Sequence, residues 1–187
     1  MERGFSFTVV FLLLVQFAMV SNVSGTETWA NSGGGFETDT LSGHISMDDG
    51  NTIVVGSYST AGFFGNQSVE ATNMFGDMDS YIGMINSSGN WTSMFGFGSE
   101  GVDGIDSIAL HDSGDIIVAG HYCRNTGGME CQMNFTSSFT VSKDNSSNDG
   151  GLFISRISYV NDTFTPIWVR QISTDFPTGI FDLATNN

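Results

Sequence analysis

Gly114–Tyr122 reads GDIIVAGHY and Gly50–Tyr58 reads GNTIVVGSY, so the chain repeats one stretch after 64 residues. In each copy a β-branched run, Ile53-Val54-Val55 or Ile116-Ile117-Val118, ends at a glycine, Gly56 or Gly120. Upstream lies a short alternating stretch, His44-Ile45-Ser46-Met47 or Ser107-Ile108-Ala109-Leu110. It is joined to the run by Asp48-Asp49-Gly50-Asn51 or Asp112-Ser113-Gly114-Asp115. A turn of Asp or Ser followed by Gly between two apolar stretches is a hairpin signal, because glycine takes positive φ without a Cβ clash.

Downstream, Ser80–Ile85 (SYIGMI) matches Leu152–Ile157 (LFISRI), a third alternating strand in each copy. Trp91 and Trp168 then mark a fourth. Trp29 occupies the same place ahead of the first copy, and Asp182-Leu183-Ala184 the place of a first strand after the second. The pattern predicts an all-β fold of antiparallel four-stranded propeller-like blades, two complete and one partial, forming an incomplete propeller. The units fall at about residues 42–96 and 106–172 within a repeat region 26–187, with a partial unit from 181. A blade is covered on both faces by its neighbours, which accounts for the continuous apolar second strands.

The stretches IDSIALHDSGDIIVAGHY with LFISRIS, and DDGNTIVVGSY with DSYIGMINSSGNW, resemble the seven-bladed β-propeller-type (SBBP-like) repeats of prokaryotic secreted and cell-surface proteins. That resemblance covers most of residues 29–184. It implies a propeller-type fold and an exterior location more than any activity. Closed propellers need about 4–8 blades, so two blades would leave apolar end faces that call for missing blades or self-association.

The chain's 187 residues carry 20 acidic and 5 basic side chains, a net charge of −15. Nucleic acid is excluded as a partner, since its affinity comes from Lys and Arg neutralising phosphates, and anionic membrane surfaces are disfavoured for the same reason. Residues 1–25 combine Arg3, an apolar run from Phe5 to Val20 and the small residues Ser24-Gly25, the three parts of a secretory signal peptide. Cleavage is expected near Thr26, with an uncleaved anchor as the alternative; no later segment is apolar enough to span a bilayer. The expected location is therefore secreted or cell surface, with a protein or a glycan at the cell exterior as the class of partner.

Export favours a disulfide between the only cysteines, Cys123 and Cys131, over a thiol nucleophile or a zinc site; two buried free thiols are the alternative. N-glycosylation sequons begin at Asn66, Asn86, Asn90, Asn134, Asn145 and Asn161, with a further one at Asn22 in the leader. From Gly56 to Tyr81 is 25 residues and from Gly120 to Phe153 is 33, an eight-residue insertion that contains both cysteines. Inserted loops on rigid scaffolds are where binding evolves, so Cys123, Arg124, Asn125 and Cys131 form the candidate binding loop.

Other chemistry finds little support. His121-x-Cys123 lacks further ligands at zinc spacing. The pairs Asp48/Asp49, Asp77/Asp79 and Asp103/Asp106 read as turn residues before they read as an acid and base. The stretch DNSSNDG at Asp144–Gly150 places Asp149 where a calcium loop requires glycine, which leaves calcium only as a secondary option. GFGSEG at Gly96–Gly101 precedes no helix, so phosphate cradling is unsupported. With neither catalytic residues nor a cofactor indicated, the sequence points to a non-catalytic exported repeat protein that presents loops for binding or adhesion. The alternative is a fragment of a larger propeller enzyme, hydrolase or quinoprotein-like, whose site needs further blades.

Overall fold

The computed structural model describes residues 29–70, 77–127, 129–143, 150–172 and 182–184. Among them are twelve strands and no helix. In chain order they are β1 (Thr40–Ser46), β2 (Thr52–Ser59), β3 (Ala61–Phe64), β4 (Gln67–Glu70), β5 (Met78–Ile85), β6 (Trp91–Phe97), β7 (Val102–Leu110), β8 (Ile116–Arg124), β9 (Cys131–Thr136), β10 (Phe139–Lys143), β11 (Gly151–Val160) and β12 (Thr163–Ile172). They form two four-stranded antiparallel sheets, β1-β2-β5-β6 and β7-β8-β11-β12, and two hairpins, β3-β4 and β9-β10.

The quoted stretches form the turns and second strands. Gly50 and Gly114 take φ of 83° and 85° in the β1–β2 and β7–β8 turns, where a Cβ would be strained. The glycines that end the apolar runs answer a different need. A Cβ on Gly56 would sit 1.9 Å from the Thr40 carbonyl oxygen, and one on Gly120 would sit 2.0 Å from that of Gly104. In both sheets the adjoining first strand bulges, at Leu41/Gly43 and at Ile105/Ser107, and presses its backbone onto the second.

The repeat is larger than four strands. Each unit carries a hairpin between its second and third strands, tied back in the same way. Gly34 bridges to Phe63 of β3, and Gly98 bridges to Asn134 of β9. The residue after each glycine, Gly35 or Ser99, donates its N–H to an aspartate four positions on, Asp39 or Asp103. Tyr58 donates its hydroxyl to the Glu70 carbonyl of the first hairpin, and Tyr122 to the Ser142 carbonyl of the second. Phe64 packs on Tyr81 at 4.9 Å as Phe135 packs on Phe153 at 5.4 Å.

Side-chain alternation shows how the sheets stack. One face of β1-β2-β5-β6 contributes Ile53, Val55, Ile82 and Met84 to the main core. From the other sheet the same core takes Ile116, Val118, Tyr122, Phe153 and Ile157, which correspond by repeat position to Thr52, Val54, Tyr58, Tyr81 and Ile85. Val54, Tyr58, Tyr81 and Ile85 lie instead on the outer face of the first sheet, in a second cluster closed by Phe64 and Val69 of its hairpin. Opposite faces of the repeat therefore meet, and both units stack the same way up. Hairpin β9-β10 wedges in beside the first sheet, with Phe135 stacked on Phe97 at 4.1 Å.

The structure departs from the sequence reading at both ends. Trp29 is in no strand; its ring lies over Gly89, 2.5 Å from where a Cβ there would stand. Asp182–Ala184 likewise form no strand and run beside β7, where Ser107 Oγ lies 3.5 Å from Asp182 Oδ1. Trp91 and Trp168 are not equivalent either. Trp91 pairs with Ile85, whereas the counterpart Ile157 pairs with Pro166 and Trp168 faces Arg156, two positions further along. Nor are the end faces broadly bare and apolar. The first is covered by β3-β4. On the second, Ala119 is fully buried, and Arg156 and Arg170 stand where the inner sheet has Met84 and Phe95.

Candidate functional site

Matching Phe63 to Asn134 and Ala61 to Gln132 through the bridges and hairpin registers places seven of the eight extra residues at Asn125–Cys131; the eighth is in the hairpin turn. In the first unit the chain passes from Ser59 to Ala61 through Thr60 alone, at φ 66°. In the second it turns at Cys123 (φ 56°) and Asn125 (φ 64°), makes the excursion, and returns at Cys131. Cys123 and Cys131 form a disulfide, S–S 1.99 Å with Cα atoms 5.9 Å apart. The bond does across space what Thr60 does along the chain: it holds the start of the hairpin against the end of the second strand.

Beside this loop lies an open cleft of about 620 Å³, lined by Glu100, Glu130, Cys131, Gln132, Asn134, Ser142 and Lys143. The volume is of the size that takes a small molecule or a few residues of a polymer. Gln132, Asn134 and Ser142 project from the solvent side of β9-β10, whose other side buries Met133, Phe135 and Val141. Gln132 Nε2 donates to Ser142 Oγ at 3.2 Å. Lys143 is only 5% exposed, and its ammonium donates to Thr126 Oγ1 at 3.0 Å; that hydroxyl donates in turn to the Cys123 carbonyl. The cation thus fastens the base of the loop.

Of the four residues expected to form the binding loop, only Cys131 lines the cleft. Cys123 is fully buried, Arg124 is half-buried and engaged within the protein, and Asn125 is an exposed turn residue. Sequence reading missed Glu100, Glu130, Gln132, Ser142 and Lys143. The available signal was the repeat itself: Glu100 and Asn134 replace Phe36 and Phe63 of the first unit. Among the sequons, Asn66, Asn90, Asn134 and Asn161 are exposed, while Asn86 is half-buried and its side-chain carbonyl accepts the N–H groups of Ser88 and Asn90. Asn145, the leader, and all of the DNSSNDG stretch except Gly150 lie outside the described residues.

Beneath the cleft, Asp103 is 1% exposed. It accepts the Ser99 N–H at 2.6 Å, the Ser99 hydroxyl at 2.8 Å and the Cys123 N–H at 2.9 Å. Burial raises its pKa to about 8 against the lowering from those donors, and Asp79, itself buried, pushes it the same way. Tyr58 is pushed above its ordinary range by burial, then by Asp79, Asp103 and Glu70. The pair spelled Asp103/Asp106 is split by its strand: Asp106 meets His121 Nδ1 at 3.0 Å.

A serine, a histidine and an aspartate do meet at the β7–β8 turn, but with the wrong connections for nucleophilic catalysis. Ser113 donates its hydroxyl to Asp115 Oδ2 at 2.7 Å, the same oxygen lies 2.9 Å from His111 Nδ1, and the Ser113 N–H goes to that nitrogen at 3.1 Å. Arg156 Nε holds Asp115 at 2.8 Å and Nη2 reaches Ser113 Oγ at 2.9 Å. An activated serine needs an imidazole free to take its proton and itself held by the aspartate; here His111 Nδ1 already accepts the Ser113 N–H, and Asp115 Oδ2 is bound to the serine hydroxyl and to Arg156. The hydrogen bonds to Ser113 and Arg156 hold Asp115 below the usual carboxylate range. Among the described residues no group of three or more His, Cys, Asp and Glu side chains could hold a metal ion. No protein-family model matches this chain, and neither a curated protein nor a solved structure matches it.

Proposed function

We propose that this is an exported, non-catalytic repeat protein of the β-propeller type, SBBP-like, whose units stack as blades and present the disulfide-fastened loop and its cleft to a ligand at the cell exterior, secreted or at the cell surface. One observation carries the reading. The cleft is walled partly by Glu130 and Cys131, which belong to an insertion the first unit does without. A segment dispensable to the architecture, fastened by a covalent bond and lining a concavity, is spent on recognition. Same-way-up stacking supports the blade reading, because a propeller requires each unit to offer one face and receive the other.

The test is capture from an immobilised panel of purified cell-wall polysaccharides and extracellular-matrix proteins, with contacts located by hydrogen exchange. Ligand-dependent protection at residues 98–101 and 129–143 is the expected result. Protection confined to the β1–β2 and β7–β8 turns, at the opposite end of these strands, would remove the cleft from the function.

A further inference from the structure

We infer that the cleft takes a neutral saccharide, and that Phe36 and Phe63, at the corresponding corner of the first unit, are a second contact for an extended chain; this rests on the binding reading above. The two corners correspond residue by residue. Gly34 and Gly98 make the bridges, Phe36 aligns with Glu100, Phe63 with Asn134, Ala61 with Gln132 and Glu70 with Ser142. Where the second unit has carboxylate, amides and hydroxyl, the first has two phenyl rings 5.8 Å apart, edge to face. Phe36 is 86% exposed and Phe63 50%. Because the units stack the same way up, both corners lie at the same end of the stack, one unit apart.

The chemistry of the lining narrows the ligand. Lys143, the only cation among the described residues that line the cleft, is buried with its ammonium donating to Thr126, and the chain carries a net charge of −15. Phosphorylated, sulfated or uronic-acid ligands would meet carboxylates with no accessible cation to receive them. Glu100 and Glu130 are both exposed on the cleft wall, so a basic peptide is the competing occupant, which the oligolysine arm below tests. What remains is a mixture of donors and acceptors: the amides of Gln132 and Asn134, the Ser142 hydroxyl and the Glu100 carboxylate. Adjacent hydroxyls of a sugar, each both donor and acceptor, satisfy that set. An exposed phenyl ring complements the C–H face of a pyranose, burying apolar area without demanding charge. Two separated contacts on one rigid stack favour a polymer over a monosaccharide by raising the effective concentration of the second contact.

Calorimetric titration of the full chain with neutral cello-, xylo-, manno- and malto-oligosaccharides, with oligolysine and oligogalacturonate alongside, tests the inference. At least one neutral series should bind, more tightly with chain length. Gln132→Ala and Phe36→Ala should each weaken it by roughly tenfold, the scale of one lost contact. Both side chains are exposed, so folding is retained, which circular dichroism checks. Binding of oligolysine or oligogalacturonate in place of every neutral series would overturn the inference, as would neutral binding untouched by Gln132→Ala. Neutral binding lost in Gln132→Ala but unchanged in Phe36→Ala would overturn the two-contact form. If a panel protein protects the cleft while no neutral saccharide binds, the saccharide assignment falls and the binding reading stands.

Discussion

Replacing Cys123 and Cys131 together by alanine isolates the contribution of the disulfide. The bond joins residues eight apart in sequence. Closing a loop that short removes about 2.5 kcal/mol of chain entropy from the unfolded state. Both sulfurs are buried, Cys123 fully and Cys131 at 6% exposure, so lost packing adds about 1 kcal/mol. For a chain of this size each kcal/mol shifts the melting midpoint by about 2–4 °C, so the double variant should melt roughly 7–14 °C below the parent in differential scanning calorimetry. A variant with Asn125–Cys131 deleted, Cys123→Ser and Lys143→Ala, the last because the deletion takes Thr126 from the buried ammonium, has no loop to close, so it should recover most of that loss without any disulfide. A double-alanine variant melting within about 2 °C of the parent, or a deletion variant less stable than the double alanine, would refute the idea that the bond offsets the inserted loop.

Three further outcomes follow from the geometry. Asp103 has a folded-state pKa of about 8 against an ordinary 3.8, so the folded protein holds this proton more tightly; its stabilising share is complete below pH 3.8 and is lost as pH rises towards 8. Asp79 faces it as a like charge, with Tyr58 and Glu70 beyond. Urea midpoints of the parent should therefore fall between pH 5 and 8, and Asp103→Asn should flatten that slope; an unchanged slope contradicts the assignment. Gly120→Ala forces a Cβ to within 2.0 Å of the Gly104 carbonyl oxygen and should cost more than about 3 kcal/mol, whereas Gly114→Ala, with open space around it, should cost only about 1 kcal/mol from its positive φ; equal losses in urea melts would rule out the close approach. Phe135→Ala removes the ring stacked on Phe97 and set against Phe153 and should cost about 3–5 kcal/mol, with faster hydrogen exchange in β9-β10; a loss under 1 kcal/mol would detach that hairpin from the core.

The four-stranded sheets were legible because each strand carries its own local signal. Ile53-Val54-Val55 and Ile116-Ile117-Val118 alternate into two buried faces, and Gly50 and Gly114 mark the turns. The hairpins were not legible. Phe63-Phe64 stand in a four-residue strand and Phe135 in a six-residue one, too short for local pattern alone to separate from loop; the hairpins are held by long-range contacts to Tyr81 and Phe153. The tryptophan spacing misled because the two tryptophans are not repeat equivalents: both fourth strands bulge alike, at Met84/Ile85 and Arg156/Ile157, which aligns Trp168 with Ser93 and Pro166 with Trp91. The insertion and its cysteines were readable by counting from Gly120 to Phe153. The cleft was not, since Glu100 comes from the β6–β7 connection and reaches Gln132 and Asn134 only through the Gly98–Asn134 bridge.

A variant lacking Asn125–Cys131, with Cys123→Ser and Lys143→Ala, tests most directly whether the second copy of the repeat carries a separable binding insertion. It restores Tyr122-Ser-Arg-Gln in place of the first unit's Tyr58-Ser59-Thr60-Ala61. Scored for a cooperative urea transition and for capture of the ligand found with the parent protein, it should unfold in a single transition of unchanged steepness while its affinity falls at least tenfold, beyond detection for weak ligands. A variant that loses its cooperative transition, or one that folds and binds as the parent does, contradicts the account.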